Sequence, residues 1–380
     1  MKLPFELGVK LLYRLLLPGF IFTLGLSPFI FSILDWINWP ESHVYFLLAT
    51  VIVAGWLILI LDMPIYMAFE GRRYWFSSLR KCLVKCETKR LENLDKNSKL
   101  SVIEEIEARE EQLKSETDQV KKKELQQQID RDERKYLEAL FDIRNFPMND
   151  KGEYRATFPT RLGNLIDAFE NYSERVYGMD TVFYWPRLWL KLDKDVKEDI
   201  DNRQAIADST IYVAFVCYVN AAIWIVFGLL ASLNTLILWA RPEPVFIVRH
   251  TLFEHLPRWW LVSLISLAFF LAGFLLYRLS FRLHAQFGEV FKSVFDVFHE
   301  QINVSKVMAD IADYANDYSF LLLPPKQRFK MARSYLQFGL IRCPCCRKRI
   351  AAAAMKDHLA GHQRLVTTVQ NSTGDITDGN

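Results

Sequence analysis

The sequence predicts an all-α membrane protein with about four transmembrane helices, a long charged cytoplasmic helical segment and a small C-terminal module rich in cysteine and histidine. Three observations predict it. Four runs are apolar and long enough to cross a bilayer, which takes ~20 residues of helix. Charge is segregated: 51% of the 380 residues are hydrophobic and 24% charged, and the charged ones gather between the apolar runs. The stretch 86–142 contains no Gly or Pro and is dominated by helix formers.

Residues 1–70 hold the first two spans. "LLLPGFIFTLGLSPFIFSIL" (15–34) carries Pro18 and Pro28, each expected to kink or interrupt it, so this run could be re-entrant. It is longer than a signal-peptide core, and Pro and Phe stand where small residues would mark cleavage, so no cleaved leader is expected. "VYFLLATVIVAGWLILILDMPIYMAF" begins at Val44 and forms the second span. The third and fourth lie within 208–280, from about Ile211 to Trp239 and from Trp259 to Tyr277. Lys2, Lys10 and Arg14 precede the first span, Arg72, Arg73, Arg80, Lys81 and Lys85 follow the second, and Arg278, Arg282 and Lys292 follow the fourth. "DWINWPESH" has no Lys or Arg, although Arg241, Arg249 and Arg258 make the other outer loop an exception. This balance places both termini in the cytoplasm. Trp36, Trp39, Trp239, Trp259 and Trp260 fall where interfacial aromatics belong. Asn220 and Asp62 are the polar residues noted within the spans, too few for ion-coupled transport. Asp62 reads as hydrated near the interface or capping a neighbour. Gly228 with Ser232, and Ala268 with Ala272, permit close helix contact.

Residues 71–157 read as one or two charged helices, a hairpin or coiled-coil stalk. Ile106, Leu113 and Val120 recur every seven residues, but Glu110, Thr117 and Glu124 spoil the second stripe a coiled coil needs. Residues 158–207 form a juxtamembrane segment whose last part, "LDKDVKEDIDNRQAIADS", is expected to run as a helix into the third span. Residues 281–325 form a cytoplasmic helix with Phe281, Phe287, Phe291, Phe295 and Phe298 at helical spacing, and Pro324–Pro325 mark a boundary. Arg161, Glu170, Asp180 and Arg187 stand among aromatics but lack a nucleophile, phosphate loop or metal-binding carboxylates, so ion pairs explain them better than catalysis.

Pro159, Thr160, Leu162, Gly163 and Asn164, then Tyr177, Gly178 and Asp180, then Trp185, Pro186, Arg187 and Leu188 make a distinctive phrase. It resembles a group of bacterial multi-span inner-membrane proteins, as do "PIYMAFEG" (64–71) and the Phe295–Asp296 pair. The resemblance covers about residues 1–300. It implies a multi-pass protein of the bacterial inner membrane and carries no activity.

The module, 326–365, holds "CPCCRKRIAAAAMKDHLAGH" (343–362). Cys343 and Cys346 bracket a tight turn, and His358 and His362 share a helical face at i and i+4, with Ile350 and Met355 as a small core. This spacing is that of a structural zinc site, and the module resembles a two-Cys-two-His zinc finger, with Cys345 a possible replacement ligand. Metal binding would contribute most of the module's folding free energy. The base-reading positions would be Ala351, Ala354 and Asp357, which cannot supply the paired donors that read guanine. Arg347, Lys348, Arg349 and Lys356 could hold phosphate without sequence preference. Residues 366–380 read as a disordered tail.

The net charge of +3, with neither half of the chain strongly basic, argues against bulk nucleic-acid binding. Three of six cysteines crowd into the module, and the others form no extracellular disulfide framework. The expected function is a membrane-anchored, non-enzymatic interaction or effector protein, homo-oligomeric, meeting a cytosolic protein partner through its zinc module. Its alternatives are a pore lined by Asn220, Ser232 and Asn234 and gated by a cytosolic signal, and a membrane-tethered nucleic-acid sensor. An enzyme acting on lipid headgroups ranks last.

Overall fold

The computed structural model describes residues 11–36, 43–149, 151–240, 259–343, 346 and 348–361. The described residues are almost wholly helical, with one short β-hairpin. The chain divides into two compact units, residues 1–168 with 198–290, and 169–197 with 291–380.

The first unit holds most of the apolar helices. A π-helical turn, Leu12–Leu16, leads into α1 (Leu17–Trp36). That wide turn makes room for the ring of Pro18, and α1 continues unbroken through Pro28, so the first run is not interrupted as expected. The break falls in the second run instead: α2 (His43–Ile60) and α3 (Asp62–Phe69) are bent by 61° at Leu61. Pro64 is the cause, since its ring excludes the carbonyl of Ile60 four residues earlier. The long helices α10 (Lys194–Ala240) and α11 (Trp259–Phe298) supply the remaining apolar runs. Among the described residues, three helices are long and apolar enough to cross a membrane, or four with the bent pair as one span. The expected run of 192–209 straight into the third span is present from Lys194 onward.

Packing between these helices is close. A Cβ added at Gly19 would collide with the Val51 carbonyl, and one at Gly55 with the Leu15 carbonyl, so only glycine lets the two backbones touch. Gly228 lies against Val262. Trp224 donates its indole N–H to the Gly25 carbonyl at 3.1 Å, and Ser266 its hydroxyl to Ala221 at 3.0 Å. The Phe29 ring stacks on Phe227 with centroids 4.0 Å apart.

The charged segment is three helices rather than one or two: α4 (Ser77–Asn97), α5 (Leu100–Ser115) and α6 (Gln119–Ile143). α6 pairs with both α4 and α5. The seven-residue stripe stops because Asp118 accepts a hydrogen bond from the Val120 amide at 2.9 Å and starts a new helix. Ile106 is buried, whereas Val120 is exposed. α7 (Arg161–Glu170) follows.

The second unit contains α8 (Tyr172–Tyr177), α9 (Thr181–Lys191), the C-terminal end of α11, α12 (Ser305–Ala315), a 3-10 turn at Tyr318–Leu322 and α13 (Pro325–Phe338). Strands β1 (Leu340–Arg342) and β2 (Arg349–Ala351) pair antiparallel, and a short helix, α14, covers 355–361. Pro324 and Pro325 start α13, as a proline favours at a first helical turn, but packing does not stop there. Met308 and Ile311 of α12, Phe320, Met331 of α13, Ile341 of β1 and Met355 of α14 share one core.

Candidate metal centre

Alternation along the hairpin builds the site. Ile341 faces Ile350 across the strands toward the core, while Arg342 faces Arg349 on the exposed side. The hairpin closes as the Cys343 amide donates to the Lys348 carbonyl at 2.8 Å, which fixes the segment carrying both cysteines. On α14, Met355 and Leu359 point into the core, and His358 is thereby turned toward the hairpin. Cys343, Cys346 and His358 converge, with one ligand atom from each lying within 4.8 Å of the others. The Cys346 Sγ stands 3.2 Å from His358 Nε2.

That spacing fits a metal. Sulfur at about 2.3 Å and nitrogen at about 2.0–2.1 Å from a tetrahedral ion lie roughly 3.6 Å from each other. Cys343 is buried and the other two ligands half-buried, so the thiolates are sheltered while α14 reaches solvent. The three residues could hold a metal ion, and they come from the end of β1, the segment after it and α14. His362 and Cys345 lie outside the described residues. Ile350 and Met355 take the core positions expected of them, but the core extends into α12 and α13. Ala351 belongs to β2 rather than to a recognition helix, and Ala354 and Asp357 are exposed.

The other sequence candidates have separate partners. Arg161 donates to both carboxylate oxygens of Asp142, at 2.8 and 2.9 Å, and lies over the Phe281 ring. Asp180 accepts from the Phe183 amide at 2.8 Å, capping α9, and pairs with Arg333 at 2.6 Å. Arg187 donates to the Phe183 carbonyl, its guanidinium 3.6 Å from the centroid of that residue's ring. The Glu170 carbonyl accepts from Thr181.

The distinctive phrase around Pro159 also does structural work. Thr160 accepts from the Gly163 amide at 3.0 Å, and Asn164 accepts from the Thr157 and Phe158 amides at 2.8 Å each. Side chains are excluded at Gly163, where a Cβ would strike the Glu70 carbonyl. Gly71 has φ +76° against Pro159, so "PIYMAFEG" and the Pro-Thr phrase form one corner. In the second unit, Gly178 ends α8 at φ +76°, and Asp296 accepts from Tyr172 at 2.9 Å and Tyr177 at 2.7 Å. Burial and the Asp296 carboxylate both raise the Tyr177 pKa and hold the phenol protonated.

One cluster the sequence reading missed lies in the first unit. Asp208 of α10 receives Arg14 and the Tyr66 hydroxyl, and Tyr66 lies 3.2 Å from His284 Nε2. His284 Nδ1 sits 2.8 Å from the Ser280 carbonyl, and the Tyr212 hydroxyl donates to Asp62 at 2.6 Å. Asp62 is therefore bound to a neighbouring helix. Asn220 is fully buried and donates to the Ile21 carbonyl at 3.1 Å, so it joins two helices. The side chains of Ser232 and Asn234 lie outside the described residues.

No protein family, curated protein or solved structure matches the chain.

Proposed function

We propose that the protein is a membrane-anchored, non-enzymatic interaction or effector protein whose cytosolic contact module is organised by zinc. The convergence of Cys343, Cys346 and His358 carries this reading. Two thiolates with an imidazole form a donor set suited to zinc rather than to magnesium or calcium. His362, four residues after His358 in the sequence, is the fourth donor in this reading, with Cys345 as the substitute. The zinc fixes α14 against the hairpin and presents the exposed Lys356 and Asp357 to a partner protein. Two alanines and an aspartate at the base-reading positions support a protein partner over DNA.

The apolar helices anchor this module in a bilayer. The Lys/Arg balance supports cytoplasmic termini, and the resemblance of 158–188 and 64–71 supports a bacterial inner membrane. A homo-oligomer is part of the proposal. Burial of Asn220 counts against the pore reading, which named it as a liner.

A photo-crosslinking residue placed at Lys356 in intact cells tests the contact. A discrete adduct, lost in Cys346→Ser, is expected. No adduct, or the same adduct in the variant, would overturn the proposal.

A further inference from the structure

Beside the metal centre, the second unit contains a cleft of about 650 Å³, within the size range of small-molecule sites. Its wall is basic. Arg342 and Arg349 stand directly opposite each other on β1 and β2, with their side chains on the same face. Like charges in that position oppose strand pairing. Among the described residues, neither arginine side chain has an ion-pair or hydrogen-bond partner. Lys330 and Arg333 of α13 line the same cleft. Of these four cations, Arg333 is held by Asp180 at 2.6 Å and Lys330 loosely by Glu174 at 3.9 Å, which leaves the two arginines of the hairpin. The same cleft is lined by Met331, which is buried, and by Phe338, whose ring is exposed.

A paired cation wall over an apolar floor is what a phosphate ester with an organic group requires. Arginine's fork matches phosphate oxygens two at a time, and an aromatic face accepts a flat ring. We propose that this cleft binds a phosphate-bearing ligand of nucleotide size, its phosphates held between Arg342 and Arg349 and its organic part against Phe338 and Met331. The cleft also borders Cys343, so the metal-binding turn sets the position of Arg342. This goes beyond the contact role of α14 and does not depend on which metal the site holds.

Binding of pyrophosphate and of ATP to the full chain in detergent micelles, followed by calorimetry at low salt, tests the proposal. Both are expected to bind, ATP more tightly, with affinity falling as salt rises. The Arg342→Gln/Arg349→Gln double variant should bind at least about tenfold more weakly, because two charge-assisted contacts are lost. Its fold is checked by gel filtration and near-ultraviolet circular dichroism. Arg203→Gln, outside the cleft, should bind like the native chain. Nanodiscs of phosphatidylglycerol separate the sources: a lipid that displaces ATP assigns the cleft to headgroups, and one that does not assigns it to soluble phosphates. No binding of either phosphate compound, or equal binding by the folded double variant, would overturn it.

Discussion

At Asp208, three helical segments meet on one carboxylate: its own helix α10, the turn that carries Arg14, and α3 with Tyr66. Asp208 is buried and Arg14 keeps 28% side-chain exposure, so removing the carboxylate leaves a partly buried guanidinium without compensation. Asp208→Ala is expected to cost about 3–5 kcal/mol of stability, and adding Arg14→Met should restore much of it. Thermal unfolding of the detergent-solubilised protein measures this, and an unchanged melting temperature in the single variant would refute the role. No reading along the chain could find this pair. Arg14 and Asp208 are 194 residues apart, and Asp208 sits in "KEDIDNRQAIADS", whose average character is that of a charged helix near a membrane. The candidate metal-binding group was legible because Cys343, Cys346 and His358 lie close in sequence, where spacing alone specifies a turn and a helical face.

Among elements, α14 and the β1–β2 hairpin differ from a free-standing zinc finger. Their core residues Ile341 and Met355 are buried together with Met308 and Ile311 of α12 and with Phe320. Part of the module's folding free energy therefore comes from shared apolar burial, and less from the metal than the sequence suggested. Chelation is expected to raise amide exchange by tenfold or more through 340–361 and to leave α12 protected. Hydrogen exchange with mass spectrometry reads this directly. Exchange rising equally through α12 would mean that the metal holds the whole unit. Helix boundaries were less legible than helix type. Composition revealed the charged helices, but the break before α6 rests on local side-chain bonds, Glu116 accepting from the Thr117 and Asp118 amides and Asp118 from the Val120 amide. The bend at Leu61 was not read from the sequence, which put the interruption at Pro18 and Pro28; Pro64 excludes the Ile60 carbonyl, whereas at Pro28 the Leu24 carbonyl accepts from the Ser27 hydroxyl at 2.8 Å and the helix continues.

For the whole molecule, we propose that the apolar helices are an anchor and that the candidate metal-binding module is a contact surface held at the bilayer on its cytosolic side. Its orientation is testable at Cys82 and Cys86, both exposed on α4. An impermeant maleimide should label them in inverted inner-membrane vesicles and not in right-side-out spheroplasts, and the opposite pattern would reverse the topology. The all-α class followed from the length and spacing of the apolar runs. The corner formed by Gly71, Pro159 and Gly163 needed the fold, since its residues come from separate parts of the chain. The central claim is that a metal organises the module, and metal content tests it most directly. Elemental analysis of the purified full chain is expected to give about one zinc per chain, falling to near zero in both Cys346→Ser and His358→Ala. Zinc absent from the native protein, or retained in both variants, would contradict the account.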